Sequence, residues 1–471
     1  MSVRQQHATL AIDELVHVAS MRERADTPLP PGPKGRRLRN LRSKLLGHPD
    51  FVADLYREYG GIAFYRLPHE NCCSVSDPDL VAAVLATEDR YFVQGVVAFM
   101  KATTLKYRGV QVAHGEEHRW RRALMRPMFS NHLDSWSRAA IEEIVALVDS
   151  WRPGDVVALN RAFMQLLSSV LSIVIFGRDM HPDPDVPMHL RNSLKWELIS
   201  GSLPFGALLR RLPIPAAIRA KRRFAESDGL IFGAIARSRQ TSWSGDDLIT
   251  RLVQAGGDGR ERPFTNQEIR DELYWLLGAA MGPPTHSLSW CIDYLAWNPA
   301  ARLQVEREVA EVLGQATVGV ADHGRLPYVG AVFKESLRLA PVVYMIDKVA
   351  LEDVTLGGYL IPKGTRVFVV PGIVQRMERF FERPEVFSPE RWLDGSTAEL
   401  PEHAYIPYGY GYRVCLGNQF AHRFAVYFLA TLAQRWRLQP LAQGPARPDG
   451  RVHPMPYRIK GGLRVRVQAL T

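Results

Sequence analysis

YIPYGYGYRVCLGNQFA, residues 405–421, sets Cys415 between Arg413 and Gly417, with Gly409 and Gly411 just before them. An apolar run, QFAHRFAVYFLATLAQRW (419–436), follows at once. It reads as a helix that is apolar almost all round and therefore buried. The start of a helix favours negative charge, so it suits a thiolate. Glycines let a backbone approach a flat ligand closely and turn N–H groups toward sulfur. Arg413 can pair with a carboxylate on such a ligand. An inert cysteine in a turn would require neither the three glycines nor the arginine.

Working outward, KESLRLAP (334–341) places Glu335 and Arg338 three residues apart, on one helix face, where they can pair. A second long helix is marked by the capping box Thr265-x-x-Glu268 and by Asn298-Pro299 at its end. About 33 residues lie between these signals, roughly 50 Å of helix at 1.5 Å per residue. GAAMGPPTHS (278–287) interrupts it, and Pro283 and Pro284 predict a break or kink at its middle.

The remaining sequence bounds the class. A chain of 471 residues can bury a large core. Net charge is +10, but the basic residues are scattered, with short clusters such as KGRRLRNLRSK (34–44). No nucleic-acid motif accompanies them, so nucleic acid is not an expected partner. Cys72, Cys73, Cys291 and Cys415 have neither disulfide nor zinc spacing. No signal peptide and no window of about 20 uncharged apolar residues is evident, so a cytoplasmic protein without a membrane anchor is expected. Residues 1–29 read as a loosely attached segment and LPPGPKG (29–35) as a stiff lead-in. Strands are expected at 61–67, 71–77 and 355–370, helices from about 115 to 340, and a final hairpin at 458–470. The fold class is mainly α with small peripheral sheets.

PYGYGYRVCLG resembles the cysteine-ligand loop of the cytochrome P-450 monooxygenases, F-x-x-G-x-R-x-C-x-G, with Tyr408 in place of Phe. KESLRLAP is similar to the family's E-x-x-R helix, and FSPERW (387–392) to its P-E-R-F/W segment. The resemblance covers residues 30–471 as a single haem-thiolate oxygenase domain, with haem b between the long helix and the cysteine-loop helix. It implies that Cys415 ligates the iron and that Tyr408, Gly409, Arg413 and Gly417 line the cofactor. Glu335, Arg338 and Arg391 form a buried network. His118, Trp120 and Arg122 in GEEHRWRRALMRPMFS (115–130) match positions that hold the haem propionates. Lys348 stands where the family usually has a propionate-binding Arg, and the two are not interchangeable. The chain carries no flavin or iron–sulfur module, so electrons are expected from a ferredoxin or flavodoxin with its reductase. Pocket walls fall at 95–112, 198–213, Val342, Val343 and Met455.

The long helix departs from the family. Its usual A/G-G-x-D/E-T-T segment aligns with Ala279, Ala280, Met281, Gly282, Pro283 and Pro284. The small residues remain, but the acid is Gly282 and the threonine is Pro283. Thr285 and His286 are substitute donors further along. A small organic or peptide-like natural product is expected as substrate. Three routes stay open: a carboxyl-bearing substrate that supplies its own acid, hydroxylation through ordered water, and an atypical oxidation such as decarboxylation. A peroxide-driven peroxygenase or decarboxylase and a non-catalytic haem-binding sensor are the alternatives.

Overall fold

The computed structural model describes residues 14–33, 49–67, 70–95, 108–178, 214–240, 247–255, 262–450 and 456–470, with short pieces at 12, 187–188 and 192. The basic cluster 34–44, the pocket segments 96–107 and 198–213, and Met455 lie outside these residues.

In chain order the helices are α1 (Met21–Asp26), α2 (Pro49–Tyr59), α3 (Pro78–Ala86), α4 (Gly115–Asn131), α5 (Leu133–Asp149), α6 (Leu159–Phe176) and α7 (Pro215–Gln240). They continue with α8 (Leu248–Gln254), α9 (Asn266–Trp297), α10 (Pro299–Leu313), α11 (Pro327–Leu339), α12 (Pro371–Val374) and α13 (Asn418–Arg435). The strands are β1 (Val16–Val18), β2 (Ile62–Leu67), β3 (Glu70–Val75), β4 (Phe92–Gln94), β5 (Val156–Ala158) and β6 (Ile346–Ala350). β7 (Val354–Leu356), β8 (Tyr359–Ile361), β9 (Arg366–Val369), β10 (Trp436–Pro440) and β11 (Arg464–Ala469) complete them. The chain divides into two compact units of interleaved segments. The first holds residues 1–98, 334–415 and 445–461; the second holds 99–333, 416–444 and 462–471.

The first unit is built on a five-stranded sheet in the order β2-β3-β9-β6-β4, beside a three-stranded sheet β1-β7-β8. β3 and β9 run parallel, and the other pairs are antiparallel. Val75, Val81, Val84, Phe92, Val367 and Val369 fill the core that α3 shares with the sheet. Each such apolar side chain contributes about 1.5–3 kcal/mol on burial. α3 starts sharply because Asp77 caps the N–H groups of Asp79 and Leu80 and Pro78 occupies the first helical position.

The N-terminal segment is not loosely attached over residues 14–29. β1 pairs with β7, Val16 is fully buried, and α1 carries a complete capping box from Ser20 and Glu23. Buried Val16 and Ala19, with Ile12 and Leu15 packed against the same core, fasten this segment together with the β1–β7 pairing.

The second unit is helical. α5, α6, α9 and α13 pack around Ile144, Phe163, Ile175, Leu277 and Phe428, with Phe163 and Phe428 edge to face at 4.9 Å. α6 is long and apolar enough to cross a membrane by composition, but most of it is buried against α5 and α9. The expected hairpin at 458–470 does not form. β11 instead joins β10 and β5 in one antiparallel sheet, because 436–440 offers a longer partner than the residues before Gly461.

α9 is continuous through Pro283 and Pro284, so the expected break is absent. The capping box of Thr265 and Glu268 is present at its start. Burial along most of its length supports a continuous helix where isolated propensity would interrupt it.

Candidate functional site

The cysteine loop belongs to the first unit. Tight turns fold it: Gly409 N–H donates to the Ile406 carbonyl at 3.1 Å, Val414 N–H to Gly411 at 3.2 Å, and Cys415 N–H to Tyr408 at 2.9 Å. Gly411 has φ +71°, and a Cβ there would lie 3.0 Å from the Leu85 carbonyl oxygen. This position requires glycine twice over, by dihedral and by space. Cβ atoms at Gly409 and Gly417 would instead meet nothing within 4 Å. Cys415 is exposed, whereas Cys72, Cys73 and Cys291 are buried. Burial pushes the Cys72 thiol up to about 12, which keeps it neutral and inert. The Tyr408 hydroxyl is buried without a protein partner, and burial raises its phenol well above the usual range.

Beneath the loop lies the expected network. Arg338 grips Glu335 with two bonds, Nε–Oε2 at 2.9 Å and Nη2–Oε1 at 2.8 Å, and Arg391 Nε reaches Oε1 at 3.1 Å. Two members were not legible in the sequence. Trp392 donates its indole N–H to Glu335 at 3.0 Å. Gln375 donates to the carbonyls of Leu337 and Arg338 and accepts from Ile406 N–H at 3.0 Å, so it ties the end of α11 to the loop.

Arg413 and Lys348 have protein carboxylates as partners. Arg413 Nε lies 2.9 Å from Glu88 Oε1, and its Nη2 donates to Asp89 at 2.9 Å. Lys348 donates to the other oxygen of Glu88. All four side chains are almost wholly buried. Burial holds the Lys348 amine below its ordinary range, against the attraction of Glu88. The sequence reading left Arg413 able to pair with a carboxylate of a flat ligand and marked Lys348 as a departure from the usual propionate-binding Arg; Glu88 and Asp89 were missed, since an acidic pair after a helix end reads as solvated.

The second unit holds the long helix and α4. His118 is buried and Arg122 half-buried, one turn apart on one face of α4. Trp120 lies on another side of that helix. Its indole N–H donates to the Arg262 carbonyl at 3.2 Å, and its ring packs on Phe264 and the Arg262 guanidinium. Its neighbour Arg121 is buried and bonded to Glu272 at 2.7 Å and Glu117 at 2.9 Å.

On α9, Ala279 is exposed and Ala280 and Pro283 half-buried, in a helix whose other faces are mostly buried. Pro283 and Pro284 have no N–H to give the carbonyls of Ala279 and Ala280, the usual acceptors four residues back. A Cβ at Gly282 would meet nothing within 4 Å. Thr285 is buried and its hydroxyl donates back to Met281 at 2.8 Å, while His286 lies 3.4 Å from Asn160. Of the pocket residues, Val342 is buried and accepts from Tyr457 N–H at 2.8 Å, and Val343 is exposed.

Among the described residues no three His, Cys, Asp or Glu side chains gather as a metal cage. An accessible cysteine with open space at two flanking glycines suits a flat macrocycle that brings its own metal and takes one protein ligand. The residues fit such a group.

Comparison with known proteins agrees. The cytochrome P450 family model matches residues 30–460. Cyclooctatin synthase from Streptomyces melanosporofaciens is 30% identical over 403 residues, covering 84% of this chain and 87% of that one. Cyclooctat-9-en-7-ol 5-monooxygenase from the same organism is 27% identical over 407 residues, covering 84% and 88%. The fold matches cyanobacterial CYP120A1, solved with retinoic acid bound, with TM-score 0.78 and 24% identity over 94% of this chain and 100% of that one.

Proposed function

The chain belongs to the cytochrome P450 family, an oxidoreductase family with haem iron, and from that membership we propose that it is a monooxygenase of an apolar, ring-bearing natural product of the terpenoid kind. The observation that carries this reading is an accessible Cys415 in a buttressed loop. Relatives named for a cyclic alkenol and for cyclooctatin support the substrate class.

Haem b, when bound, supplies the redox chemistry that reduces dioxygen. Cys415 would hold it through sulfur, and a thiolate ligand favours O–O cleavage. Gly409 and Gly417 leave room for a flat ring, and the His118 ring N–H and the Arg122 guanidinium in the second unit are donors suited to its carboxylates. Ala279 and Ala280 would exclude water from the reacting carbon. The carbonyl oxygens of Ala279 and Ala280 can hold a water that carries the proton, the task Gly282 and Pro283 cannot perform. Electrons would come from a ferredoxin or flavodoxin with its reductase, and a chain of net charge +10 suits an acidic donor.

A second reading is favoured by Gly282 and Pro283 themselves. A carboxyl-bearing or peptide-like substrate would act as its own acid, with oxidative decarboxylation or peroxide-driven turnover as outcomes.

The test is a ferric haem absorbance titration with cyclic terpene alcohols and with matched acids and esters. A low- to high-spin shift with the alcohols is expected. A shift with acids alone would overturn the terpenoid reading in favour of the second. Reductant consumption coupled to product would reject a non-catalytic haem-binding sensor.

A further inference from the structure

The polar side chains around Trp275 on α9 have protein partners. Arg270 holds Asp228 at 2.8 Å, Tyr274 donates to the same carboxylate at 2.6 Å, and Glu272 accepts from Arg121 at 2.7 Å. Trp275 differs: its indole N–H is buried and has no acceptor among the described residues. A buried donor left unpaired has given up water for nothing, and native structures keep few of them. Other indoles of the chain are paired, Trp120 with the Arg262 carbonyl, Trp392 with Glu335 and Trp436 with the Val148 carbonyl. Trp136 also lacks an acceptor, but it is a core side chain set edge to face with Phe129 and Phe420, where ring π-electrons can take an N–H.

Trp275 stands elsewhere. It is half-buried, one turn before Ala279 and two before Pro283, on the face of α9 where Ala279 is exposed and Pro283 half-buried. Its ring is also held in place. A Cβ at Gly109 would lie 2.4 Å from the ring's Cδ1, and the backbone on either side of Gly109 donates to Asp271 at 3.0 Å and to Glu272 at 2.8 Å. Cδ1 is bonded to the ring nitrogen, so the edge that carries the N–H is the edge that is fixed. A donor fixed before binding costs a ligand little to use.

We infer that Trp275 is a substrate-binding residue whose N–H donates to an oxygen of the substrate. An indole N–H only donates, so its partner is a hydroxyl, ether or carbonyl oxygen. The substrate is then an apolar ring compound that already carries oxygen, as water capture during cyclisation or an earlier oxidation would leave it. The inference rests on the proposed function, which gives this face of α9 to the substrate.

The experiment titrates the ferric haem-loaded protein and Trp275→Phe with a cyclic terpene alcohol, its methyl ether and the parent hydrocarbon, reading the spin-state shift. In the unmodified protein the alcohol and the ether are expected to bind at least as tightly as the hydrocarbon, because the N–H replaces the water each oxygen loses. In Trp275→Phe both should weaken about tenfold while the hydrocarbon changes by no more than about twofold. Equal weakening of all three ligands would mean that the ring only packs, and would overturn the inference. So would an unmodified protein that binds the hydrocarbon about tenfold more tightly than the alcohol, a result that needs no variant. A preference for the alcohol over its ether would mean that a protein acceptor reads the hydroxyl, and would overturn it too. A shift with none of the three but with matched acids would instead sink the terpenoid reading, and the inference with it.

Discussion

Glu272 on α9 accepts the backbone N–H of Val110 at 2.8 Å while holding Arg121 at 2.7 Å, so one carboxylate joins the long helix both to α4 and to the segment leading into it. Asp271 beside it accepts Arg108 N–H at 3.0 Å. The chain on either side of residue 109 is thereby pinned to α9. Gly109 fits because a Cβ there would lie 2.4 Å from the Trp275 ring.

This pin is pH-dependent. Burial raises the Glu272 carboxyl to about 7, opposed by Val110 N–H and Arg121. A raised acid contributes stability that is full below its unfolded value of about 4.5 and is lost as pH rises through about 7. From this group, stability should fall by about 1 kcal/mol between pH 6 and pH 8. Glu272→Gln should flatten that slope in thermal melts, while lowering stability at both pH values because the amide points a donor at Arg121. An unchanged slope would mean that Glu272 is ionised throughout.

The buttress under the cysteine loop should be the most costly place to cut. Glu335→Ala leaves Arg338 and Arg391 without their shared anion in a buried site, a loss of about 3–5 kcal/mol. Trp392→Phe removes one bond to a charged acceptor and should cost about 1.5–3 kcal/mol. Denaturant unfolding of both variants checks the order; equal losses would mean that Trp392 acts through packing alone.

The sequence made the loop, the Glu335–Arg338–Arg391 network and the ends of α9 legible, because each is local or tied to chemistry that few residues can supply. Trp392, Gln375 and Glu88 were not legible. Their roles depend on partners tens to hundreds of residues away, and each has a commonplace local reading. Pro283 and Pro284 misled for a different reason: a local rule predicted a break, and packing on most faces of the helix overrode it. The N-terminal segment was misread in the same way, through the burial of Val16.

Pro283→Thr tests how much that override costs. It restores an N–H toward the Ala279 carbonyl and removes a helix-interior proline, so stability should rise by about 1 kcal/mol or more. Adding Gly282→Asp places an acid where a Cβ has room. If ordered water now carries the proton, the double variant should convert a larger fraction of consumed reductant into product. If the substrate supplies the acid, that fraction should stay the same or fall, which product-to-reductant ratios would read.

Gly411 and Gly417 separate two reasons for glycine in one loop. At Gly411 a side chain is opposed by φ +71° and by the Leu85 carbonyl, so Gly411→Ala should cost about 1–2 kcal/mol even in protein without haem. Gly417 has φ −91° and open space around its missing Cβ, so Gly417→Ala should leave the haem-free protein's melting unchanged. Its effect should appear only on loading, as weaker haem retention, because the added methyl occupies space a flat macrocycle would use. Equal melting losses in both haem-free variants would place Gly417 among the backbone-required glycines and remove it from the cofactor's contacts.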